Sequence, residues 1–310
     1  MRYSCIEGLT PMAKTSDSAH ITSKTLLPAA FNGWEMFMYD QGRSPNTVKA
    51  FLSDVRLLTQ FLAPDQSIGS ITTDDLNRFF AWMEKERGIA CSPKTLSRRI
   101  TSVKSFFRWL HQHGTLSTNP AEKVLQRSAI SPLPQVLTED EYEAVLLAAD
   151  RQRRAKKPDA RSYTLLYLLL TTGIKKSECL GIHINHIDLE AKSGPHIFIR
   201  YASPANRYKE RKIELQEDWI VAYKEYLAQY KPVDQVFAWS PRRLEYLLED
   251  IGTEASLTKH LSFDMCRWTC ALRDYRAGIE ADTIRQKLGV SKIQWRELFI
   301  KIKQLNGEIK

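Results

Sequence analysis

The chain has 310 residues, 43% of them hydrophobic, and carries Lys+Arg 45 against Asp+Glu 36, a formal net charge of +9. That length accommodates two domains with separate cores, and that apolar content excludes a disordered chain. The positive balance favours an anionic partner, nucleic acid before membrane, because no apolar run approaches a membrane span and the polar N-terminus has no signal-peptide core.

Residues 1–25 lack periodicity and read as a disordered N-terminal segment. Ala29 to Tyr39 then looks helical until Gly42-Arg43-Ser44-Pro45 breaks it. Ser44 as N-cap and Pro45 at the first helical position start a second helix. Its core stripe is Val48, Phe51, Val55, Leu58 and Leu62. A third helix begins at Thr73, with Asp74 and Asp75 placed to suit the helix dipole, and runs to about Arg87.

The fourth helix starts at Ser92-Pro93 and buries Leu96, Ile100, Val103, Phe107 and Leu110. Lys94, Arg98, Thr101, Ser105 and Arg108 share another of its faces. Ser92 to Arg127 holds seven basic residues, Lys104 among them, against the single acid Glu122, a net of +6. Guanidinium and ammonium groups interleaved with hydroxyls suit a row of phosphates, so Lys94, Arg98, Thr101, Lys104, Ser105 and Arg108 are candidate DNA contacts.

Ser128 to Gln135 is a Pro-punctuated linker that separates a helical domain at 26–128 from a second domain at 133–310. Thr138-Glu139-Asp140-Glu141 opens a capped helix leading into Val145-Leu146-Leu147. Arg151 to Arg161 holds six basic residues and one acid, a loop that either tracks phosphate or is simply solvated. Tyr163 to Leu170 reads as a core helix. His183 to His196, Ile197 to Ile199 and Arg211 to Leu215 suggest a three-stranded sheet, and Trp219 to Tyr230 and Pro241 to Ile251 return to helix.

In the last stretch, Phe263, Cys266, Cys270 and Leu272 follow a helical period around Arg267. A short helix from Thr283 to Leu288 stops at Gly289, where positive φ is tolerated. Ser291 caps a final helix whose apolar side is expected to hold Ile293, Leu298 and Phe299. Cys5, Cys91, Cys179, Cys266 and Cys270 include no C-x-x-C pair, and the Cys266/Cys270 spacing reads as two buried side chains rather than a metal clip. No metal and no cofactor are expected, and the setting is read as reduced and cytoplasmic.

Asp264-Met265-Cys266-Arg267-Trp268, then Leu288-Gly289-Val290, then Phe299 nine residues beyond Val290, resembles the C-terminal box of the tyrosine recombinase, or phage integrase, family. That pattern is H-x-x-R-H, L-G-H and a tyrosine. Thr172-Gly173-Ile174-Lys175-Lys176-Ser177-Glu178-Cys179 is similar to the family's T-G-L-R-x-S-E-L. Asn206 to Leu215 is similar to the hairpin that carries its lysine. Ser44 to Val48, Ser92 to Ile100, Phe106 to Leu110 and Asn119 to Ala121 resemble its core-binding domain. The resemblance implies a mainly α fold. It would comprise an N-terminal helical core-binding (SAM-like) domain and a C-terminal α+β catalytic-type domain with a small antiparallel sheet.

It also implies where chemistry would sit. Family members attack a phosphodiester with the tyrosine hydroxyl while cationic donors stabilise the pentavalent transition state. Here Lys175 stands for the first arginine, which keeps the charge and loses the planar fork. Glu178 is retained. The lysine position falls on Asn206, with Arg207 or Lys209 as substitutes should the loop slip. Asp264 stands for a histidine and repels phosphate unless Arg267 or Lys175 neutralises it. Arg267 is kept, Trp268 and Val290 replace histidines, and Phe299 has no hydroxyl. The expectation is therefore a DNA-binding member with a degenerate site, in which Lys175, Arg267, Val290 and Phe299 converge on one basic concavity. The alternative is a recombinase subunit whose tyrosine is supplied in trans by a partner. Expected partners are duplex DNA and either an active relative or a second copy on the DNA, with no membrane.

Overall fold

A computed structural model describes residues 21–89, 91–126 and 132–309. Most of the N-terminal segment, Arg127, the linker positions 128–131 and Lys310 lie outside the described residues. The chain divides into two compact units, Met1–Ser131 and Pro132–Lys310.

The first unit is helical. After a 3-10 turn come α1 (Phe31–Asp40), α2 (Pro45–Phe61), α3 (Thr73–Lys85) and α4 (Pro93–Gln112). Both Ser-Pro starts behave as read: Ser44 accepts from the Thr47 N–H, Ser92 from the Thr95 N–H, each at 3.2 Å, with proline following. α3 starts at Thr73 as read, its cap is Thr72, and Asp75 closes a capping box by accepting from the Thr72 N–H at 2.9 Å. The two stripes read for α2 and α4 face each other in one core, with Phe51 half-buried and the other nine residues buried. Phe106 and Trp109, outside the stripe read for α4, are also buried. Phe106 meets the fully buried Trp34 edge-on at 5.0 Å.

The second unit is built around α6 (Arg161–Thr172), whose Leu165, Leu166, Leu168, Leu169 and Leu170 are all buried. Against it pack α5 (Glu139–Arg153), α8 (Glu217–Tyr230), α9 (Pro241–Glu254) and α10 (Phe263–Arg276). The Trp219 indole donates to the Thr164 carbonyl at 2.9 Å, so a large ring is buried with its N–H satisfied. A short helix α7 (Lys176–Leu180) precedes the expected sheet: β1 (Ile187–Asp188), β2 (His196–Ile199) and β3 (Arg211–Glu214), antiparallel in the order β1-β2-β3, with Ile197 opposite Ile187 and Ile213. Finally α11 (Ala281–Lys287) and α12 (Lys292–Leu305) pack with α10 around Ala271, Leu272, Ile284, Leu288, Val290 and Ile302. The fold is mainly helical with one small antiparallel sheet, as the resemblance implied.

Two sequence expectations need correction. Ile293 is 80% exposed: α12 turns Trp295, Leu298, Ile302 and Leu305 towards its neighbours, and Ile293 falls on the opposite side. In the basic run, Arg153 and Arg154 pair with Asp150, and Arg161 pairs with Asp159 at 2.6 Å. Only Arg151, Lys156 and Lys157 remain there as exposed cations without an ion pair among the described residues.

Candidate functional site

The centre of the second unit's polar chemistry is Glu178, on α7, with a side chain only 1% exposed. Gly173 ends α6 at φ 60, and a Cβ there would lie 2.8 Å from the Leu288 side chain. Glycine therefore lets the chain reverse tightly against α11. The reversal carries Lys175 to the start of α7, where Glu178 accepts from its backbone N–H at 2.8 Å. Both Glu178 oxygens also receive the Arg211 guanidinium at 3.0 Å, a two-pronged pairing, and the Tyr201 hydroxyl donates to Oε1. Burial by itself would push this carboxyl up. The Arg211 bonds and charge, the Lys175 N–H and Tyr201 overcome it and hold the group at about 2. Burial raises the Tyr201 phenol, and Glu178 adds to that rise.

Arg211 was not singled out in the sequence. It is buried against Gly289, where a Cβ would lie 2.5 Å from its Nη1, and its Nε donates to the Lys287 carbonyl at 2.5 Å. Its Nη1 reaches the Lys209 carbonyl as well. The available signal was its place directly after Glu210 in the hairpin match, at the first residue of β3.

Arg267 lies beside this cluster on α10 and is 9% exposed. Its Nη1 donates to the Gly173 carbonyl and its Nη2 to the Leu288 carbonyl at 2.7 Å. It thus ties the α6–α7 reversal to the end of α11. Lys175 is half-buried, and no side-chain partner of its ammonium is found among the described residues. Burial lowers it from its ordinary value, Glu178 opposes that, and Arg267, Lys209 and Arg211 deepen it. Lys175, Glu178 and Arg267 are therefore brought together, with Arg211 and Lys209 added.

Asn206 sits in a short 3-10 turn, Pro204–Lys209, and accepts from the Lys209 ammonium at 2.8 Å. Lys209 also lies over the rings of Tyr201 and Tyr208, whereas Arg207 is exposed. Of the two substitutes, Lys209 is the one that approaches the cluster. Asp264 is exposed in the first turn of α10, and no ion pair joins it to Lys175 or Arg267 among the described residues. The helix dipole favours it there instead.

Val290, 8% exposed, belongs to the apolar cluster between α10, α11 and α12, and half-buried Trp268 packs on the same cluster. Phe299 stacks on Trp295 at 5.2 Å and meets Tyr275 edge-on at 5.6 Å, with Lys303 over its ring. Tyr275 lies two turns beyond Arg267, about 12 Å along the helix axis. The contacts of Phe299 are thus with the far end of α10 rather than with the charge cluster.

In the first unit the α4 face is present with changes. Lys94, Arg98, Thr101 and Arg108 are exposed and Ser105 is half-buried. Lys104 is turned away: its ammonium donates to the Val124 carbonyl at 2.5 Å and the Glu122 carbonyl at 3.3 Å, fixing the following turn. Arg98 divides its role. Its Nη1 lies 2.6 Å from Asp54, a carboxylate 2% exposed on α2. Asp54 also accepts from Ser102 at 2.8 Å, and Arg99 approaches it at 3.6 Å. Burial raises the Asp54 carboxyl against these partners. An acid next to Val55 on the stripe of α2 was the signal that this helix pair needed a cation.

Among the described residues no cluster of side chains is arranged to hold a metal ion, and no helix is long and apolar enough to cross a membrane. The model of the phage integrase N-terminal SAM-like domain matches residues 32–114, and that of the phage integrase family matches residues 135–300. Tyrosine recombinase XerC of Mycobacterium sp. (strain JLS) is 32% identical over 153 residues, 48% of this chain and 50% of that protein. The chain thus matches about half the length of that curated relative. In fold it is similar to the XerH site-specific recombinase bound to palindromic difH substrate in a post-cleavage complex, with TM-score 0.70 and 17% identity over 94% of this chain and 91% of that one. It is also similar to lambda integrase in a tetramer bound to a Holliday junction, with TM-score 0.69 and 14% identity over 89% and 77% of the two chains. The two domain matches, the order of elements and the frame of motifs lead to one conclusion: the chain belongs to the phage integrase family, the tyrosine recombinases.

Proposed function

We propose that this protein binds duplex DNA as a member of a recombination system and does not itself cut the strand. The observation that carries the reading is Phe299, nine residues beyond Val290, where the resemblance puts the attacking tyrosine, with no tyrosine between Tyr275 and Lys310. Tyr275 is no substitute. Its hydroxyl donates to Glu308 at 2.8 Å, and that carboxylate raises the phenol from its ordinary value, the reverse of an activated nucleophile. The donors around the would-be phosphate are engaged as well: Arg267 on two backbone carbonyls, Arg211 on Glu178. Lys175 keeps a charge without a fork. Binding rests on the exposed Lys94, Arg98, Thr101 and Arg108 of α4 and on the excess of basic residues.

The test incubates the protein with a nicked suicide duplex and resolves the products by denaturing electrophoresis. Unmodified, undisplaced protein is the expected result, and a shifted covalent adduct overturns the reading. Adding an active relative to the same reaction addresses supply of the tyrosine in trans. In that case strand cleavage at the half-site held by this chain would replace the inactive reading. Affinity for duplex DNA should fall steeply with salt, and an affinity indifferent to salt contradicts the phosphate contacts.

A further inference from the structure

A cleft of about 880 Å³ opens between α7 with the turn after it and the segment joining β2 to β3. Glu178, Tyr201, Asn206 and Arg207 line it, and Phe198, Arg200, His183 and His186, which have no role above, also line it. Ile197 and Ile199 point into the core, so Phe198 faces outward from β2. The guanidinium of Arg200, two residues on, lies over the Phe198 ring at 4.7 Å from its centre. Arg200 is exposed and has no carboxylate partner among the described residues. An arginine backed by an aromatic ring is a flat cationic platform with its planar face preset.

His183 and His186 also line the cleft, rings edge to face at 5.0 Å. His183 bonds through Nδ1 to Asp234 at 2.7 Å. His186 accepts the His183 backbone N–H on its own Nδ1 at 3.3 Å. The neutral His186 ring therefore carries its proton on Nε2, a donor without a partner among the described residues.

The hydrogen-bonding inventory of the cleft leans towards donors. Glu178 is saturated by Arg211, Tyr201 and the Lys175 N–H. Glu210 accepts from the Tyr201 N–H at 2.9 Å. The Asn206 carbonyl oxygen is taken by Lys209 at 2.8 Å, which leaves the amide NH2 to donate. What remains is led by donors, namely Asn206, His186, Arg200 and the exposed Arg207, between flat rings, with the second Glu210 oxygen and the Ser177 hydroxyl as acceptors beside them. A ligand that complements them is planar on one part, rich in acceptors and negatively charged.

We infer that this cleft receives one unpaired nucleotide, its base laid on the Arg200–Phe198 stack and its phosphate towards Arg207. Bases splayed out of a helix are held in this manner on aromatic and guanidinium planes, with hydrogen bonds to their exposed edges. The volume lies within the range of small-molecule sites. An unpaired nucleotide is available from two sources, a free nucleoside monophosphate or a nucleotide displaced from bound DNA. The inference adds to the DNA-binding reading and stands apart from it, because free nucleotide needs no duplex.

The experiment uses the full chain, in wild-type form and as Arg200→Ala and His186→Ala, two side chains outside the Glu178 cluster. Fluorescence anisotropy compares a perfect duplex with a duplex of equal length bearing one unpaired nucleotide. Saturation-transfer NMR with guanosine monophosphate reports on the free nucleotide. The wild type should prefer the bulged duplex by at least about fivefold, the lower end of what one stacked base contributes. Both variants should lose that preference while binding the perfect duplex as before, and wild-type saturation of the guanine protons should vanish in Arg200→Ala. Equal affinity for the two duplexes, or a preference that survives both substitutions, overturns the inference. If neither duplex binds, the DNA-binding reading fails by itself. The cleft is then judged on guanosine monophosphate: saturation that depends on Arg200 upholds it, and no saturation overturns it.

Discussion

Glu178→Gln isolates the buried pair at the centre of the second unit. The carboxyl is held at about 2 against an ordinary 4.5, a shift worth roughly 3 kcal/mol. The sign follows from the direction: a depressed carboxyl stabilises the fold fully above its unfolded value and ceases to do so as pH falls through the folded one. The contribution is therefore complete at pH 7, less than half of that at pH 3, and nearly absent below pH 2. Glutamine keeps the shape and removes the charge, leaving the Arg211 guanidinium, itself 8% exposed, without a counter-ion. The variant should be less stable than the wild type by about 3 kcal/mol at pH 7, with the gap narrowing to under half by pH 3. Because the chain has two units, a single melting curve does not serve. The urea dependence of amide exchange in peptides from α6 and α10 reports the second unit alone. A gap that stays constant from pH 7 to pH 3, or one below about 0.5 kcal/mol at pH 7, refutes the assignment of Glu178 as a charged anchor.

Gly289→Ala should cost about 2 kcal/mol or more, since φ is 59 and the new Cβ would lie 2.5 Å from Arg211 Nη1; unchanged amide exchange in peptides from α10 would contradict that packing. Arg108→Ala should weaken duplex binding about uniformly across sequences and leave stability unchanged, as measured by anisotropy and calorimetry. Arg98→Ala should weaken binding similarly and in addition destabilise the first unit by about 1 kcal/mol, because Asp54 loses the partner at 2.6 Å. Equal stability of the two variants would show that Asp54 is served by Arg99 and Ser102 alone. Phe299→Tyr should yield no covalent adduct on a suicide duplex, because the new hydroxyl would stand between Trp295 and Tyr275 while Arg267 stays on its carbonyls. An adduct from this single change would place the missing chemistry in the hydroxyl alone.

What the sequence by itself determined is local. Ser44, Ser92, Thr138 and Ser291 announce their helices because a capping side chain reaches an N–H only a few residues away. Gly173 and Gly289 mark reversals for a similarly short-range reason, positive φ. The apolar periods of α2, α4, α6 and α10 need no partner to be read, and they fix the class of fold. The tertiary structure decided where each charge goes. Arg98 and Asp54 are 44 positions apart, Glu178 and Arg211 are 33 apart, and Arg267 reaches Gly173 across 94, so no window of sequence holds both members of a pair. Lys104 shows the same limit: it shares a basic helix with Arg108, yet a carbonyl 20 residues on claims its ammonium. Ile293 shows it for apolar groups, since the period of α12 allowed two faces and only its packing against α10 and α11 selected one. Buried charge must find a partner wherever the fold supplies one, and that partner is a property of three dimensions.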